Sequence, residues 1–222
     1  MEDVLEVYQR LYDRARLVLC LDEKSKEMPA SAREALPPSP SQGDKPATAV
    51  RQDYEYTRHG TRNLFLWVEP LAGRRHVCVT EHRKSPDFAQ QLRTLVDEHY
   101  PQAEKIILVT DNLNMHSPAC LYETFAPAEA RRIADRIEWH YTPEHGSWLN
   151  MAEIELSVLE RQCLRRRIPD PVTLAAEVLA WQQKRNAETQ SGTDNDPLAV
   201  HSGRCPDQTA AALPAGRIQF LT

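Results

Sequence analysis

Two features of the sequence predict a mixed α/β fold. Short apolar runs typical of buried strands alternate with amphipathic stretches of helical period, in the order strand, hairpin, helix, strand, helix, strand, helix. The 222 residues are 41% hydrophobic, which is enough to build a real core in one domain. We therefore expect one layered domain in which helices cover a mixed sheet.

Composition and charge exclude several classes of protein. The chain has no run of about 18 apolar residues, so we expect no membrane span and no membrane partner. Its acidic, amphipathic start, MEDVLEVYQRLYDRAR, does not have the basic and apolar regions of a secretory signal. Five scattered cysteines without a C-x-x-C pair indicate reduced thiols in a cytoplasmic protein. The formal net charge of -5 still permits a local basic patch.

The N-terminal half is predicted to contain a helix, a buried strand and a hairpin. Residues 2–14 have apolar side chains at helical spacing, and the apolar run ARLVLCLDE over 15–23 is short enough for a buried strand. Residues 29–49 are rich in Pro, Ser and Ala, which is typical of a long loop. Residues 63–70 and 74–82 flank a glycine-containing turn and form the predicted hairpin.

The C-terminal half is predicted to alternate helices with two strands. The strands are KIILVTDN over 105–112 and IEWHYTP over 137–143. Ser85 is the expected N-cap of the first helix, and Asn150 is the expected cap of a later one. The predicted helices are 85–100, 127–136, 147–167 and 170–188.

Two of the predicted buried strands end in acidic residues. The first ends in Asp22 and Glu23, which strand alternation points in opposite directions, and Asp111 ends the apolar run LVTD. The carboxyl ends of neighbouring strands are where sites form in α/β sheets. Carboxylates there could hold Mg²⁺, and two such ions can activate a nucleophile against a phosphodiester. The alternative is that these acids are ordinary polar loop residues.

A third carboxylate is expected on the helix that follows the last strand. Glu153 and Glu155 are two residues apart and cannot share one helix face. One of them would therefore be a ligand, and the other would be solvated or paired. Glu160 is expected to be a solvated acid that pairs with Arg161 or Arg165.

Two long stretches carry a resemblance to a known family. VTDNLNMHSPACLYETFAPAEARRI and IEWHYTPEHGSWLNMAEIELSVLERQCLRRRIPD resemble the catalytic core of bacterial insertion-sequence transposases of the mariner-like superfamily. The resemblance covers most of residues 1 to 187 and includes VLCLDEKSK around the first acid. It implies an RNase H-like fold, with a mixed central sheet of about five strands flanked by helices. It also implies that Asp22, Asp111 and Glu153 form an Asp-Asp-Glu triad that holds Mg²⁺ or Mn²⁺.

The function implied by this resemblance is metal-dependent DNA cleavage and strand transfer during transposition. The implied partners are DNA, at transposon ends and target, and a second copy or a full-length transposase. An alternative is an inactive remnant or regulator that binds DNA or the full-length protein without cutting. A third reading is an RNase H-like nuclease acting on RNA–DNA hybrids, which the order Asp, Asp, Glu fits less well.

The chain departs from the family pattern at both ends. Family members carry N-terminal helix-turn-helix modules, whereas this sequence starts almost directly at the catalytic region, so we expect an N-terminal truncation. We expect residues 1–188 to form the catalytic domain. Residues 189–222 are rich in Gly, Pro and Ala without periodicity, which indicates a disordered tail outside the family pattern, from a shifted reading frame.

Several residues near the predicted triad are candidates for contacts to nucleic acid. His145 and Trp148 lie in the loop before the helix of Glu153, where they would either contact DNA or pack to order the loop. Arg161, Arg165 and Arg166 would either contact phosphates or form a solvated face.

A zinc site is a further possibility raised by the spacing of two residues. His116 and Cys120 are four residues apart and could share a helix face. Two ligands do not make a zinc site, and the sequence has no second pair at zinc-finger spacing, so we expect no zinc.

Overall fold

The computed structural model describes residues 1–31, 37–41, 46–48 and 55–191. Two helices, α2 and α5, continue into wider π-helical turns at Leu95–His99 and Glu160–Leu164. The elements in chain order are α1 (Glu2–Tyr8), β1 (Arg16–Ser31), β2 (Tyr56–Glu69), β3 (Arg74–Thr80), α2 (Ser85–Thr94), β4 (Lys105–Thr110), α3 (Ala119–Thr124), α4 (Pro127–Ala134), β5 (Ile137–Tyr141), α5 (Met151–Leu159) and α6 (Pro171–Ser191).

The five strands form one mixed sheet in the order β3-β2-β1-β4-β5. Strands β1, β2 and β3 are antiparallel neighbours, whereas β4 is parallel to β1 and β5 is parallel to β4. The central strand β1 therefore has partners on both sides, which agrees with its continuous apolar run. The predicted mixed sheet of about five strands is confirmed.

Each face of the sheet is covered by its own apolar core. Leu19 and Leu21 of β1 point to the face covered by α2 and α4, and Cys20 points to the face covered by α5 and α6. This alternation assigns opposite faces to successive residues of β1. Leu92, Leu95 and Ile133 are all buried in the core on the face covered by α2 and α4.

The first two strands are longer than predicted, and this corrects the predicted loop at 29–49. Strand β1 continues to Ser31, because it pairs with β2 as far as Tyr56. The prediction that this strand ends at Asp22 and Glu23 is therefore wrong, since both lie within it. The paired ends of the two strands, 24–31 of β1 and 56–64 of β2, form a two-stranded β1–β2 ribbon. Its polar residues are mostly exposed, so the sequence shows no strand periodicity there. Ser39 and Thr48 form an isolated antiparallel bridge. The rest of the predicted loop, 32–36, 42–45 and 49, lies outside the described residues.

The predicted helices need several corrections. The helix predicted over 147–167 begins only at Met151, after a 3-10 turn at Ser147–Leu149. Helix α1 ends at Tyr8 rather than at residue 14. The N-cap of α2 is Lys84 rather than Ser85, and its backbone N–H donates to Asp87 Oδ2 at 2.9 Å. Helix α3 was not predicted, because its six residues are too few to show helical periodicity. Helix α6 continues to Ser191, and the rest of the predicted tail, 192–222, lies outside the described residues.

None of the helices in the described part of the chain is both long enough and apolar enough to cross a membrane.

Candidate metal centre

The register of the two central parallel strands places the first two predicted acids side by side. Cys20 of β1 is the partner of Val109 of β4. Asp22 and Asp111 each follow two residues later, beyond the same end of this parallel pair. Asp111 comes directly after the last residue of β4, so its backbone has left the strand.

The third predicted acid lies in the first turn of α5, which Asn150 holds against β1. Asn150 Oδ1 accepts a hydrogen bond from the Ala152 N–H at 3.1 Å, which confirms the predicted N-cap. The Nδ2 group of the same side chain donates to the backbone oxygen of Leu21 at 2.8 Å. Glu153 N donates to Asn150 O at 3.0 Å. The start of α5 is thereby fixed next to Asp22.

The charges of the three predicted acids interact at Asp22. The pKa of the Asp22 carboxyl is raised to about 7, chiefly by burial and also by the negative charges of Glu23, Asp111 and Glu153, against the opposing effect of the Glu23 backbone N–H. That N–H donates to Asp22 Oδ1 at 2.8 Å. The fold therefore brings Asp22, Asp111 and Glu153 within electrostatic reach of one another.

The carboxylate oxygens of this cluster are ligands that a hard cation prefers, but the carboxylates are not yet arranged to bind one ion together. Glu153 Oε2 is buried and has no hydrogen-bond partner among the described residues. A buried carboxylate oxygen without a donor is costly, and a divalent cation is a partner that it can take. No three His, Cys, Asp or Glu side chains of the described residues are already arranged to hold one ion. The three carboxylates therefore interact electrostatically but do not yet form a coordination site.

Two residues that the sequence analysis did not assign to the site, Glu23 and His116, lie directly behind Asp111. His116 Nε2 donates to Glu23 Oε1 at 2.7 Å, and His116 Nδ1 donates to Asp111 Oδ1. Burial alone would lower the pKa of His116, but these hydrogen bonds and the two negative charges raise it to about 9. The ring is therefore an imidazolium that donates from both nitrogens at neutral pH.

The alternation of residues along β1 indicates that Glu23 is buried and needs a partner such as His116. Glu23 continues the alternation of Leu19 and Leu21, so it is an acid on an apolar face and needs a buried partner. The zinc alternative gains no support, because both ring nitrogens of His116 contact carboxylates and Cys120 is buried in the same core.

The two glutamates that competed for the role of third ligand have different surroundings. Glu155 is buried, with Oε1 at 2.8 Å from Nε of Arg75 and at 3.4 Å from Nε of Arg185. It therefore belongs to a buried ion cluster that joins α5 to β3 and α6. Glu153, by contrast, interacts with Asp22. Glu160 pairs with Lys24 at 3.5 Å, so the prediction that it pairs with Arg161 or Arg165 is wrong.

The predicted contact residues in the loop before α5 are exposed beside the acids. The side chain of His145 is 93% exposed, and Trp148 is 65% exposed. This exposure favours the contact role over packing of the loop. A cleft of about 470 Å³ is lined by His145 and Ser147 together with Asp111. His145 thus lies at the mouth of the site, and Trp148 follows Ser147 in the chain.

The predicted arginine cluster lies at the other end of α5. Arg161 is eight residues beyond Glu153, which is about 12 Å along a helix. Arg161 and Arg165 are exposed, and Arg166 forms an ion pair with Glu177. The fold therefore separates the arginines from the acids and places them beside the β1–β2 ribbon, where Lys26 donates to Leu164 O.

Comparisons with known proteins agree with this fold. Residues 9–175 match the family of DDE superfamily endonucleases. No curated protein sequence matches the chain. A chain in the crystal structure of the mariner Mos1 paired-end complex with Mg is 16% identical to this chain in sequence, and the two superpose with a TM-score of 0.50. The match covers 86% of this chain and 59% of that chain. The Mos1 strand transfer complex is 14% identical, also with a TM-score of 0.50, over 86% and 56% of the two chains.

These structural matches establish the fold, and the family match establishes the family. The chain spans less than two thirds of the length of the Mos1 chains. The shared architecture confirms the RNase H-like fold that the resemblance implied. Because the matched residues, 9–175, make up well over half of the chain, the protein belongs to the DDE superfamily endonuclease family.

Proposed function

We propose that this chain is the catalytic domain of a transposase, which cuts DNA with a divalent metal ion and joins the cut end to target DNA. The observation that supports it most is the meeting of three acids from β1, the end of β4 and the first turn of α5. Its family of endonucleases and its fold agree with this reaction.

Asp22, Asp111 and Glu153 would hold Mg²⁺ or Mn²⁺ in this proposal. When bound, the metal supplies an activated nucleophile and charge stabilisation for the leaving oxygen of the phosphodiester. The protein supplies the placement of the acids: the register of β1 with β4 aligns the two aspartates, and Asn150 brings Glu153 to them. The unpartnered Glu153 Oε2 and the mutual repulsion of the acids favour a cation between them.

DNA is the partner that we propose for the surface around these acids. His145 and Trp148 would contact the strand at the cleft that Asp111 lines, and Arg161, Arg165 and Arg166 would contact phosphates further along the duplex. The Mos1 structures are a paired-end complex and a strand transfer complex, which supports DNA as a partner here. We further propose assembly with a second copy or a full-length transposase, in the cytoplasm.

A regulator that binds DNA or full-length transposase without cutting is the second candidate. The open arrangement of the acids, with no three ready ligands among the described residues, favours it. This candidate and the transposase share the fold and the DNA surface. They differ only in whether the three carboxylates bind a divalent cation that supports catalysis.

Cleavage of a labelled, nicked DNA duplex in Mg²⁺ or Mn²⁺ tests the proposal. We expect the wild type to cut, Asp111→Ala to lose the cutting, and Asp135→Ala to retain it. Asp135 is a matched control because it is an exposed acid at the end of α4 that pairs with Arg131. A folded wild type that does not cut would favour the regulator, and cutting that survives in Asp111→Ala would place the chemistry elsewhere.

A further inference from the structure

A buried line of charged side chains passes through the end of the sheet behind the proposed metal centre. The line runs from Glu23 through His116 to Asp111. The side chains of Glu23 and His116 are 1% and 0% exposed, whereas that of Asp111 is 33% exposed. The line thus begins in the core and ends at the surface of the site.

The two ends of this line belong to opposite faces of the sheet. Glu23 follows Leu21 on the face covered by α2. Asp111 continues the alternation of Ile107 and Val109 on the face covered by α5, to which Asp22 also belongs. His116 therefore reaches Asp111 from behind, away from Asp22 and Glu153. Its hydrogen bond occupies Oδ1 of Asp111, which leaves Oδ2 as the atom to turn towards the other two acids.

The His116 ring is held on several sides. Phe88 lies against it with ring centroids 4.5 Å apart, and Thr110 Oγ1 is 3.2 Å from Nδ1. Glu23 holds the other nitrogen. A ring that is fixed in this way allows Asp111 few orientations, although Asp111 lies in a polar segment just beyond the strand.

Burying these polar groups costs more than burying apolar groups of the same size. Removing a carboxylate and an imidazole ring from water is unfavourable even when they hydrogen-bond to each other, and apolar replacements of such buried polar pairs are often as stable or more stable. The α2 face of β1 is otherwise apolar at Leu19 and Leu21. A buried polar pair on an otherwise apolar face that also contacts Asp111 points to a role at Asp111.

We propose that His116 and Glu23 are positioning residues for the metal centre: His116 fixes the carboxylate of Asp111, and Glu23 fixes His116. Groups that orient a metal ligand from behind typically change metal affinity by about 10- to 100-fold when they are removed. This inference rests on the proposed function, because it requires that Asp111 is a metal ligand.

Two substitutions of His116 separate its two contacts. In His116→Asn the side-chain amide lies near the position of Nδ1 and keeps a donor for Asp111. In His116→Gln the amide lies near the position of Nε2 and keeps the contact to Glu23 instead. Both variants remove the ring, so both lose its packing against Phe88. A merely structural role would affect both variants alike.

The measurement is the dissociation constant for Mn²⁺ alone, from electron paramagnetic resonance of free Mn²⁺, beside thermal unfolding of the metal-free proteins. We expect His116→Gln to bind Mn²⁺ about 10-fold or more weaker than the wild type, and His116→Asn to stay within about threefold. The control Glu69→Gln removes another buried carboxylate, which accepts from Tyr100 at 3.1 Å, and should leave the affinity unchanged.

The outcomes distinguish failure of this inference from failure of the proposed function. If the wild type binds Mn²⁺ and Asp22→Ala abolishes binding, the metal centre stands. Equal affinities of the Asn and Gln variants and the wild type would then overturn the positioning role alone. Tighter binding by the variants would also overturn it, because His116 would be competing with the cation for Asp111. A wild type without Mn²⁺ binding would overturn both.

Discussion

Asn150 donates a hydrogen bond from Nδ2 to the backbone oxygen of Leu21 at 2.8 Å, so one side chain connects the start of α5 to the residue before Asp22. Its Oδ1 caps the same helix by accepting from the Ala152 N–H. Both contacts are buried, and Asn150 itself is 1% exposed. This amide therefore helps to set the separation between the first and third acids, beside the apolar packing of α5 on β1.

Replacement of Asn150 by Ala removes the cap and the contact to β1 together. We expect a loss of about 2 kcal/mol in the free energy of unfolding, since a cap and a buried hydrogen bond are each worth about 1 kcal/mol. We also expect metal-dependent cleavage to fall at least tenfold at a temperature where the variant is folded. Urea unfolding and the cleavage assay measure the two effects.

A second helix cap provides the control for this prediction. Asp170 Oδ1 accepts from the Thr173 N–H at 2.9 Å at the start of α6. Asp170→Ala should also destabilise the protein, but a folded sample should cut DNA at the wild-type rate. An Asn150→Ala variant whose cleavage falls no further than that of Asp170→Ala would show that the contact to Leu21 does not position the site.

Because the pKa of Asp22 is raised, the metal-free protein has a lower free energy of unfolding at high pH than at low pH. The pKa of this carboxyl is about 7 in the folded protein, above its ordinary value of 3.8. The folded state therefore holds the proton more tightly, and its stability falls as the pH rises from about 4 to 7. Asp22→Asn removes the charge, so at pH 8 the metal-free variant should be about 2 kcal/mol more stable than the wild type, although inactive.

Thermal unfolding at pH 8 and at pH 4, with a chelator present, tests the prediction for Asp22. The stabilisation should be clear at pH 8 and absent at pH 4, where the wild-type carboxyl is protonated in the folded state. Equal stabilities of the two proteins at pH 8 would mean that Asp22 is neither buried nor repelled as the structure indicates.

Arg161 and Arg165 should contribute to DNA affinity through charge alone. Both are exposed at the end of α5. If each contacts one phosphate, each change to Ala should reduce the slope of log K against log salt by about 0.9. Fluorescence anisotropy with a duplex at several salt concentrations measures this slope.

Arg131 is the matched control for the arginine prediction. Its side chain is 74% exposed on α4 and pairs with Asp135. Arg131→Ala should leave the salt dependence as it is. If Arg161→Ala and Arg165→Ala leave the slope unchanged as well, these arginines form a solvated face and the DNA lies elsewhere.

The fold and the two acids that follow apolar runs could be predicted because they depend on local patterns. The apolar runs before Asp22 and Asp111 are visible in the sequence, and so is the choice of Asn150 as a helix cap. The β1–β2 ribbon beyond residue 23 could not be predicted in the same way. Its residues are held by pairing between strands rather than by an apolar face, so no alternation marks them.

The contacts that complete the site could not be predicted for a different reason. Glu23 and His116 are 93 residues apart in the chain, and only the parallel pairing of β1 with β4 brings their segments together. Likewise, the roles of Glu153 and Glu155 could not be separated by spacing alone. The partner of Glu155 is Arg75 on β3, which a sequence pattern cannot identify.

The most direct test of the account is metal-dependent DNA cleavage by Glu153→Gln and Glu155→Gln, measured beside their stabilities. Glu153→Gln should lose cleavage while it keeps its free energy of unfolding, because Glu153 Oε2 has no hydrogen-bond partner among the described residues. Glu155→Gln should lose about 3 kcal/mol of stability, because it breaks a buried ion pair, yet it should still cut where it is folded. Cleavage that persists in Glu153→Gln and disappears in folded Glu155→Gln would contradict the proposed centre.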